Sequence, residues 1–316
     1  MILVTGGAGF IGSNYLYKLY ELDPSQRVLC VDSLTYASNY DYIKPLIDNG
    51  FVQLEVKNIT SEIYVDYIFK IFKPEYVVHF AAESHVDNSI KDLNPFVNTN
   101  ILGTINLLKG SLTVPNFKKF VHVSTDEVFG SLELDDEHSF VETSPIETNS
   151  PYSASKAASD NFVRAFYKTY GLPAVITNCS NNYGPNQHKE KFIPTVLNSI
   201  FQGKNIPVYG TGENVRDWLY VEDHCNALNL VLEKGVPGER YNIGGGEEIS
   251  NIELVKKLLS LLGKDSGQIE FVKDRPGHDL RYSIDCTKII NELGYAPAHT
   301  LDQGLEKTIE WYKNNV

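Results

Sequence analysis

The sequence has little cysteine. Its four, Cys30, Cys179, Cys225 and Cys286, are scattered through 316 residues with no Cys-x-x-Cys pair and no metal-type spacing. That excludes a disulfide framework and leaves reduced, buried thiols as the expectation, in keeping with a cytoplasmic protein. The eight histidines show no ligand spacing either, so no metal is expected. Positive charge is also scarce: 28 Lys and Arg stand against 40 Asp and Glu, a formal net charge of -12. An acidic surface argues against nucleic acid or a membrane as the partner. A phosphate-bearing ligand then needs local cations and helix N-termini. No apolar run is long enough to span a bilayer. The chain enters the apolar stretch Ile2–Thr5 with no basic region and long apolar core before it, so no signal peptide is expected. Internal repeats and low-complexity segments are missing as well.

What is present is an ordinary globular composition, 42% hydrophobic and 22% charged. Ile2–Thr5, Arg27–Asp32, Phe51–Lys57, Tyr76–Ala81, Lys119–Ser124 and Ala174–Asn178 read as buried strands, with helix-length segments between most of them. That alternation predicts an α/β fold, a Rossmann-type doubly wound parallel sheet. After about Cys179, Asn, Gly, Pro and Tyr cluster in Asn181–Gln187, Pro207–Glu213 and Gly244–Glu248, which read as binding loops instead of sheet elements. Asn251–Leu262 and Leu301–Asn314 read as helices. The expected organisation is a dinucleotide-binding domain over 1–178 and 213–242, with a smaller α/β substrate domain over 179–212 and 243–316.

Gly6-Gly7-Ala8-Gly9-Phe10-Ile11-Gly12 follows the first strand and opens a helix. Gly6 permits the tight turn, Gly9 lets backbone approach a pyrophosphate, and Gly12 lets helix and strand pack closely. The helix N-terminus offers N–H groups to the diphosphate. Asp32 ends the second strand twenty positions after Gly12, where a carboxylate takes ribose hydroxyls and repels a 2′-phosphate. NAD is therefore expected over NADP. Tyr152 and Lys156 stand at i and i+4, on one face of a helix. A neighbouring ammonium lowers a phenol's pKa and makes it a usable base for an alcohol proton.

Glycine loop, Asp32 and the Tyr-Lys pair together resemble the extended short-chain dehydrogenase/reductases, whose usual opening is matched by Thr5–Gly12. Ser124-Thr125-Asp126-Glu127-Val128-Phe129-Gly130 follows a strand, at the sheet edge where doubly wound folds bind ligands. Its Thr-Asp-Glu triplet resembles that of the nucleotide-diphosphoglucose 4,6-dehydratases, those acting on dTDP-glucose above all. The resemblance runs from Met1 to about Trp311, through Phe80–Asp87, Thr177–Pro185, Arg216–His224 and Asp274–Asp279. It implies that Tyr152 takes the C4 hydroxyl proton while NAD takes the hydride, helped by Lys156. Thr125 hydrogen-bonds the C4 oxygen, Glu127 removes the C5 proton, and Asp126 protonates the departing C6 hydroxyl. To act so, Asp126 must be protonated at neutral pH, which burial and the adjacent Glu127 favour.

The same resemblance implies a cofactor site of Gly6, Gly9, Phe10, Ile11, Gly12, Asp32, Ser33, Leu34, Thr35, Asn58, Ile59, Phe80, Ala81, Ala82, Ser84, Thr99 and Asn182, with Tyr152 and Lys156. It puts the nucleotide sugar on Ser84, Thr125, Asn181, Glu190, Lys191, Phe192, Pro207, Tyr209, Arg216, Asn251, Arg275 and His278. A guanidinium matches phosphate geometry, which favours Arg216 for the diphosphate. Tyr209 with Pro207 offers a platform for the base. His85 reads as a residue that orders its loop. Three positions depart from the family pattern: Phe129 for a tyrosine, Asn88 for an arginine, and Asn58 for an aspartate near adenine. A homodimer built on helices such as Pro151–Tyr170 is also implied. The rival readings are a UDP-glucose 4,6-dehydratase, a nucleotide-sugar 4-epimerase, and a redox-sensing binding protein without catalysis.

Overall fold

The computed structural model describes Met1–Asn315. Among the described residues twelve strands follow one another: β1 Ile2–Thr5, β2 Val28–Asp32, β3 Val52–Val56, β4 Tyr76–His79, β5 Lys119–Thr125, β6 Ala174–Cys179, β7 Asn181–Tyr183, β8 Ile206–Tyr209, β9 Val215–Tyr220, β10 Arg240–Ile243, β11 Glu248–Ser250 and β12 Ile269–Val272. Seven form one sheet in the order β10-β6-β5-β4-β1-β2-β3, and every pair in it is parallel. β1, β2, β5 and β6 are buried along their whole lengths. A strand covered on both faces shows a continuous apolar run, which is why these read so clearly in the sequence. The doubly wound Rossmann-type sheet expected from the sequence is thus the one observed.

Alternate residues of each strand feed two cores. Val4, Val28 and Cys30 join Tyr15, Leu16 and Leu19 of the helix Phe10–Leu22 and Leu228 of the helix Val221–Lys234. Leu3, Leu29 and Val77 join Phe69 of the helix Glu62–Phe72 and Leu107 of the helix Thr104–Leu112 on the opposite face. The chain winds outward from β1 to β3, then crosses to β4 on the other side of β1. The crevice at that reversal, beyond the C-terminal ends of the strands, is where ligands of doubly wound sheets sit.

Beyond that edge lie a three-stranded sheet, β11-β9-β7, and the pair β12-β8. They share a third core with the helices Phe192–Phe201, Asn251–Leu261 and Leu301–Asn315. All three expected loops are therefore partly strand: Asn181–Tyr183 pairs with β9, Ile206–Tyr209 with β12, and Glu248 opens β11 opposite Asp217 of β9. Runs of three or four residues are too short to display a strand's alternation, and Gly and Asn around them masked it. The chain does not finish one region before starting the next. It leaves the large sheet after β6, returns through Val221–Lys234 and β10, and leaves again at β11. Thr287–Leu293 then sends Ile289 and Leu293 back into the first core. Side chains tie the regions together: Asn14 Nδ2 donates to the Pro185 carbonyl (3.0 Å), Asn186 Nδ2 to Ser13 Oγ (3.1 Å), and Lys191 Nζ to the Ser84 carbonyl (2.9 Å). Among the described residues no helix is long and apolar enough to cross a membrane.

Candidate active site

A cleft of about 320 Å³ opens at the switch point. Its floor is the glycine turn. Gly6 has φ +73°, and a Cβ there would lie 2.7 Å from the Ala81 nitrogen. A Cβ on Gly12 would lie 2.2 Å from the Gly6 carbonyl oxygen, so only glycine lets the helix start this close to β1. Gly9 caps the helix Phe10–Leu22 without a side chain, leaving its first-turn N–H groups open to the cleft. Asp32 is buried at the end of β2. Its Oδ2 accepts from the Ala8 N–H (2.9 Å), and its Oδ1 from the Leu34 N–H (2.8 Å) and Ser38 Oγ (2.9 Å). A bare glycine cradle under an uncapped helix N-terminus, beside a fixed carboxylate, fits a dinucleotide.

The opposite wall begins with the helix Pro151–Tyr170. Ser150 and Ser153 form a reciprocal capping box and Pro151 takes the first turn, which fixes where Tyr152 emerges. The Tyr152 N–H donates to Ser89 Oγ (3.2 Å), and the ring packs edge-on against Phe96 at 6.3 Å. Lys156 is buried, its Nζ donating to the Val123 carbonyl (2.8 Å). Burial, then Glu127, Cys179 and Asp126, push the Tyr152 phenol well above its ordinary value in the protein alone, against a hydrogen bond with Thr125. Burial lowers the Lys156 pKa in turn, against Asp160 and Cys179.

β5 delivers Thr125 to its C-terminal end, and a single 3-10 turn, Asp126–Phe129, follows. Thr125 Oγ1 accepts from the Glu127 N–H and donates to Asp126 Oδ1, both at 3.3 Å. Asn178 Nδ2 pins the Thr125 carbonyl at 2.7 Å. Asp126 is 2% exposed and its Oδ2 has no partner. Burial, then Glu127 and Asp217, raise its pKa well above the carboxylate range, against Arg216. Desolvation also raises Glu127, opposed by Arg275, Lys191 and Arg216. The two adjacent acids thus face different surroundings: like charges add to the effect of burial on Asp126, whereas three cations oppose it at Glu127.

The cleft brings together Gly6, Gly9, Phe10, Ile11, Gly12, Asp32, Ser33, Thr35, Asn58, Ile59, Phe80, Ala81, Ala82, Ser84, Thr99, Thr125, Asp126, Glu127, Tyr152, Lys156, Asn181, Asn182 and Lys191. Leu34 turns away into the first core at φ +50°, contributing only its N–H to Asp32. Glu190, Phe192, Pro207, Tyr209, Arg216, Asn251, Arg275 and His278 lie outside the lining. Several of them still bear on it. Glu190 lies 3.9 Å from His85 and 3.6 Å from His188, both in the cleft wall. Arg275 pairs with Asp87 at 3.8 Å, and the Tyr209 and His278 rings meet edge-on at 6.2 Å. Arg216 is buried on the Tyr282 ring, its guanidinium 4.2 Å from the centroid and donating to the carbonyls of Val215, Asp279 and Leu280. Phe192 stacks on Trp218, and Asn251 opens its helix with its N–H on the Asn214 carbonyl.

Sequence reasoning missed Asn100, whose amide grips both backbone groups of Glu83 (2.8 and 3.0 Å) and donates to Ser155 Oγ (2.8 Å). It lies with Thr99 in a π-helical stretch, Val97–Gly103, a distortion found often at functional sites. A buried amide inside an otherwise helical run was the available signal. Ser38 was missed too, and nothing in the sequence marked its bond to Asp32. No group of three or more His, Cys, Asp or Glu able to hold a metal occurs among the described residues.

Fold and cleft define a nicotinamide-type enzyme of the short-chain dehydrogenase/reductase class, with an acid pair added beside the Tyr-Lys helix. The family model described as GDP-mannose 4,6 dehydratase matches residues 3–308. A probable dTDP-glucose 4,6-dehydratase of Sinorhizobium fredii is 48% identical over 99% of this chain and 93% of its own. The dTDP-glucose 4,6-dehydratase of Haemophilus influenzae is 47% identical over 99% of this chain and 98% of its own. Among solved structures, DesIV, a dTDP-glucose 4,6-dehydratase from Streptomyces venezuelae crystallised with NAD, superposes with TM-score 0.95 at 46% identity, covering 99% of this chain and 97% of that one. A UDP-glucose 4-epimerase from Thermotoga maritima follows at TM-score 0.91 and 31% identity, covering 99% and 98%. The chain belongs to the dTDP-glucose 4,6-dehydratase family.

Proposed function

We propose that this chain dehydrates dTDP-glucose to dTDP-4-keto-6-deoxyglucose, with the segments 1–178 and 213–242 holding NAD and 179–212 and 243–316 holding the nucleotide sugar. NAD, held by the Gly6–Gly12 turn and Asp32, would supply a hydride acceptor for oxidation at C4 and a hydride donor for reduction at C6. Tyr152 takes the C4 hydroxyl proton, with Thr125 directing the C4 oxygen. The raised Tyr152 pKa in the protein alone means that the phenol stays protonated until a positive charge arrives above it. Oxidation makes the C5 proton α to a ketone, and Glu127 removes it. Asp126 gives its proton to the C6 oxygen, which leaves as water. Glu127, its proton exchanged with solvent, then protonates C5 as C6 is reduced.

The observation that carries this reading is the Asp126–Glu127 pair, in which burial and like charge keep Asp126 a proton donor. A 4-epimerase has no use for it. Arg216, Arg275 and Lys191 supply the positive field for the diphosphate, and Tyr209, Asn251 and His278 the outer contacts to the nucleotide. The enzyme works in the cytoplasm as a homodimer built on Pro151–Tyr170, a helix that leaves Phe162 and Tyr170 exposed. The test is turnover of dTDP-glucose and UDP-glucose in deuterated solvent without added NAD. The reading expects a 4-keto product from dTDP-glucose carrying deuterium at C5. Preference for UDP-glucose overturns the base assignment, and a 4-epimer with no solvent deuterium overturns the dehydration.

A further inference from the structure

Beneath the Tyr-Lys helix lies a buried polar cluster that the steps above do not use. Asp160 follows Lys156 by one helical turn and is 1% exposed. Its Oδ1 lies 3.3 Å from His122 Nε2 on β5, and its Oδ2 lies 3.3 Å from Arg240 Nη1 on β10. Neither oxygen has a well-aligned hydrogen bond. A buried carboxylate without aligned donors is costly unless nearby cations hold it. Arg240 is one such cation, at 3.3 Å; Lys156, one turn back on the same helix, acts on it at longer range.

The titratable groups whose charges bear on Lys156 lie on four elements. They are Asp160 on its own helix, His79 on β4, His122 on β5 and Cys179 on β6. Burial depresses both histidines, His122 to about 4, and pushes the Cys179 thiol up to about 12. All three are neutral near pH 7. His122 Nε2 also lies 3.0 Å from Ser159 Oγ, which donates to the Lys156 carbonyl at 2.7 Å. Arg240 Nη1 continues the chain, donating to Asn178 Oδ1 at 2.9 Å, and Asn178 is the residue that pins Thr125. The cluster therefore reaches from under Lys156 to the backbone of the Thr125 turn.

We propose that Asp160 is a positioning residue for the reaction: its buried carboxylate keeps the Lys156 ammonium charged in the cleft wall, while Arg240 and His122 clamp that carboxylate in place. A lysine this buried loses its proton more readily than an exposed one, and a fixed anion one turn away opposes the loss. Asp160 touches neither sugar nor cofactor and acts only through Lys156. The inference rests on the role assigned to Lys156 above. A wild-type enzyme that fails to turn over dTDP-glucose would sink that assignment, whereas the pH profiles below sink only this one.

The experiment compares kcat against pH for the wild-type holoenzyme, Asp160→Asn and Arg240→Gln. Lys156 must be protonated, so activity falls as pH rises through its pKa, and removing the anion brings that fall to lower pH. In Asp160→Asn the basic limb should move down by about one pH unit, with KM for the sugar nucleotide within about twofold of wild type. Arg240→Gln loosens the carboxylate but keeps its charge, so its basic limb should move down by less than half the shift of Asp160→Asn. A basic limb unmoved in Asp160→Asn overturns the proposal. So does an equal downward shift in both variants, which is what general loosening of the cluster would give. Should Asp160→Asn not fold, Asp160→Glu replaces it: the charge is kept but displaced, and the limb moves down by a smaller shift. A wild-type limb there overturns the proposal as well.

Discussion

The two walls of the cleft are made of different materials. The wall running from β1 to β3 is largely backbone: a glycine turn, an uncapped helix N-terminus, and one carboxylate whose oxygens are held by two N–H groups and a serine. The wall from β5 to Pro151–Tyr170 is side chain: Thr125, Asp126, Glu127, Tyr152 and Lys156, all at least partly buried, with pKa values displaced by one another and by burial. A backbone wall binds a constant ligand and is indifferent to most side chains but intolerant of an added Cβ. A side-chain wall is the reverse. Its shape survives substitution while its chemistry does not.

That contrast can be broken most sharply at Tyr152. Tyr152→Phe should cut kcat by about 10³ and leave bound NAD, read from the absorbance of the purified protein, unchanged. A comparable loss of NAD would mean that the two walls are not separable. Next comes Gly12→Val, whose Cβ would fall 2.2 Å from the Gly6 oxygen. It should lower unfolding free energy by about 3 kcal/mol and yield protein without cofactor, by denaturant titration and nucleotide extraction. Retained NAD at wild-type stability would contradict the backbone account.

Asp126→Asn should slow elimination about 100-fold while hydride transfer to NAD persists as a build-up of reduced cofactor. The same variant tests the charge reading through stability. The folded-state pKa of Asp126 is raised, so its contribution is intact below the unfolded value, near 4, and is lost as pH rises through the folded one. Asparagine does not titrate. The melting temperature of Asp126→Asn should therefore gain on wild type from pH 4 to pH 8, by about 2 °C or more. A constant difference would remove burial as the cause.

The smallest effect is expected away from both walls. Arg281 grips Glu248 through Nε and Nη2 (2.7 and 3.1 Å) and the Asp136 carbonyl through Nη1 (2.7 Å). Arg281→Ala should cost about 1–2 kcal/mol of stability and leave kcat within about twofold.

The backbone wall was the more legible one. Strands buried on both faces announce themselves as apolar runs, and the glycines, Asp32 and the Tyr152–Lys156 spacing are local patterns. The acid pair was legible through its place after β5. What could not be read was whatever depends on sums over space. Tyr152 feels burial and two carboxylates that no spacing rule adds up, and in the protein alone these raise its phenol pKa. Arg240 meets Asp160 and Asn178 across 62 residues or more. Arg216 was expected at the diphosphate, and no spacing rule shows that its guanidinium is buried against Tyr282 and donates to three carbonyls. Short strands such as Asn181–Tyr183 carry too few residues for a period to show.

The repeated passage of the chain between the large sheet and the smaller sheets has a consequence for how the molecule can move and how it can be divided. A lobe joined by one or two crossings swings on a hinge. Here the crossings after β6, before β10, at β11 and around Thr287–Leu293 lie at separate points, so a swing that relaxes one would strain the others. Opening must be shared as small slides along packed faces. By the same token no single cut releases the smaller sheets from the large one, and a nick in any one crossing should leave both parts folded together.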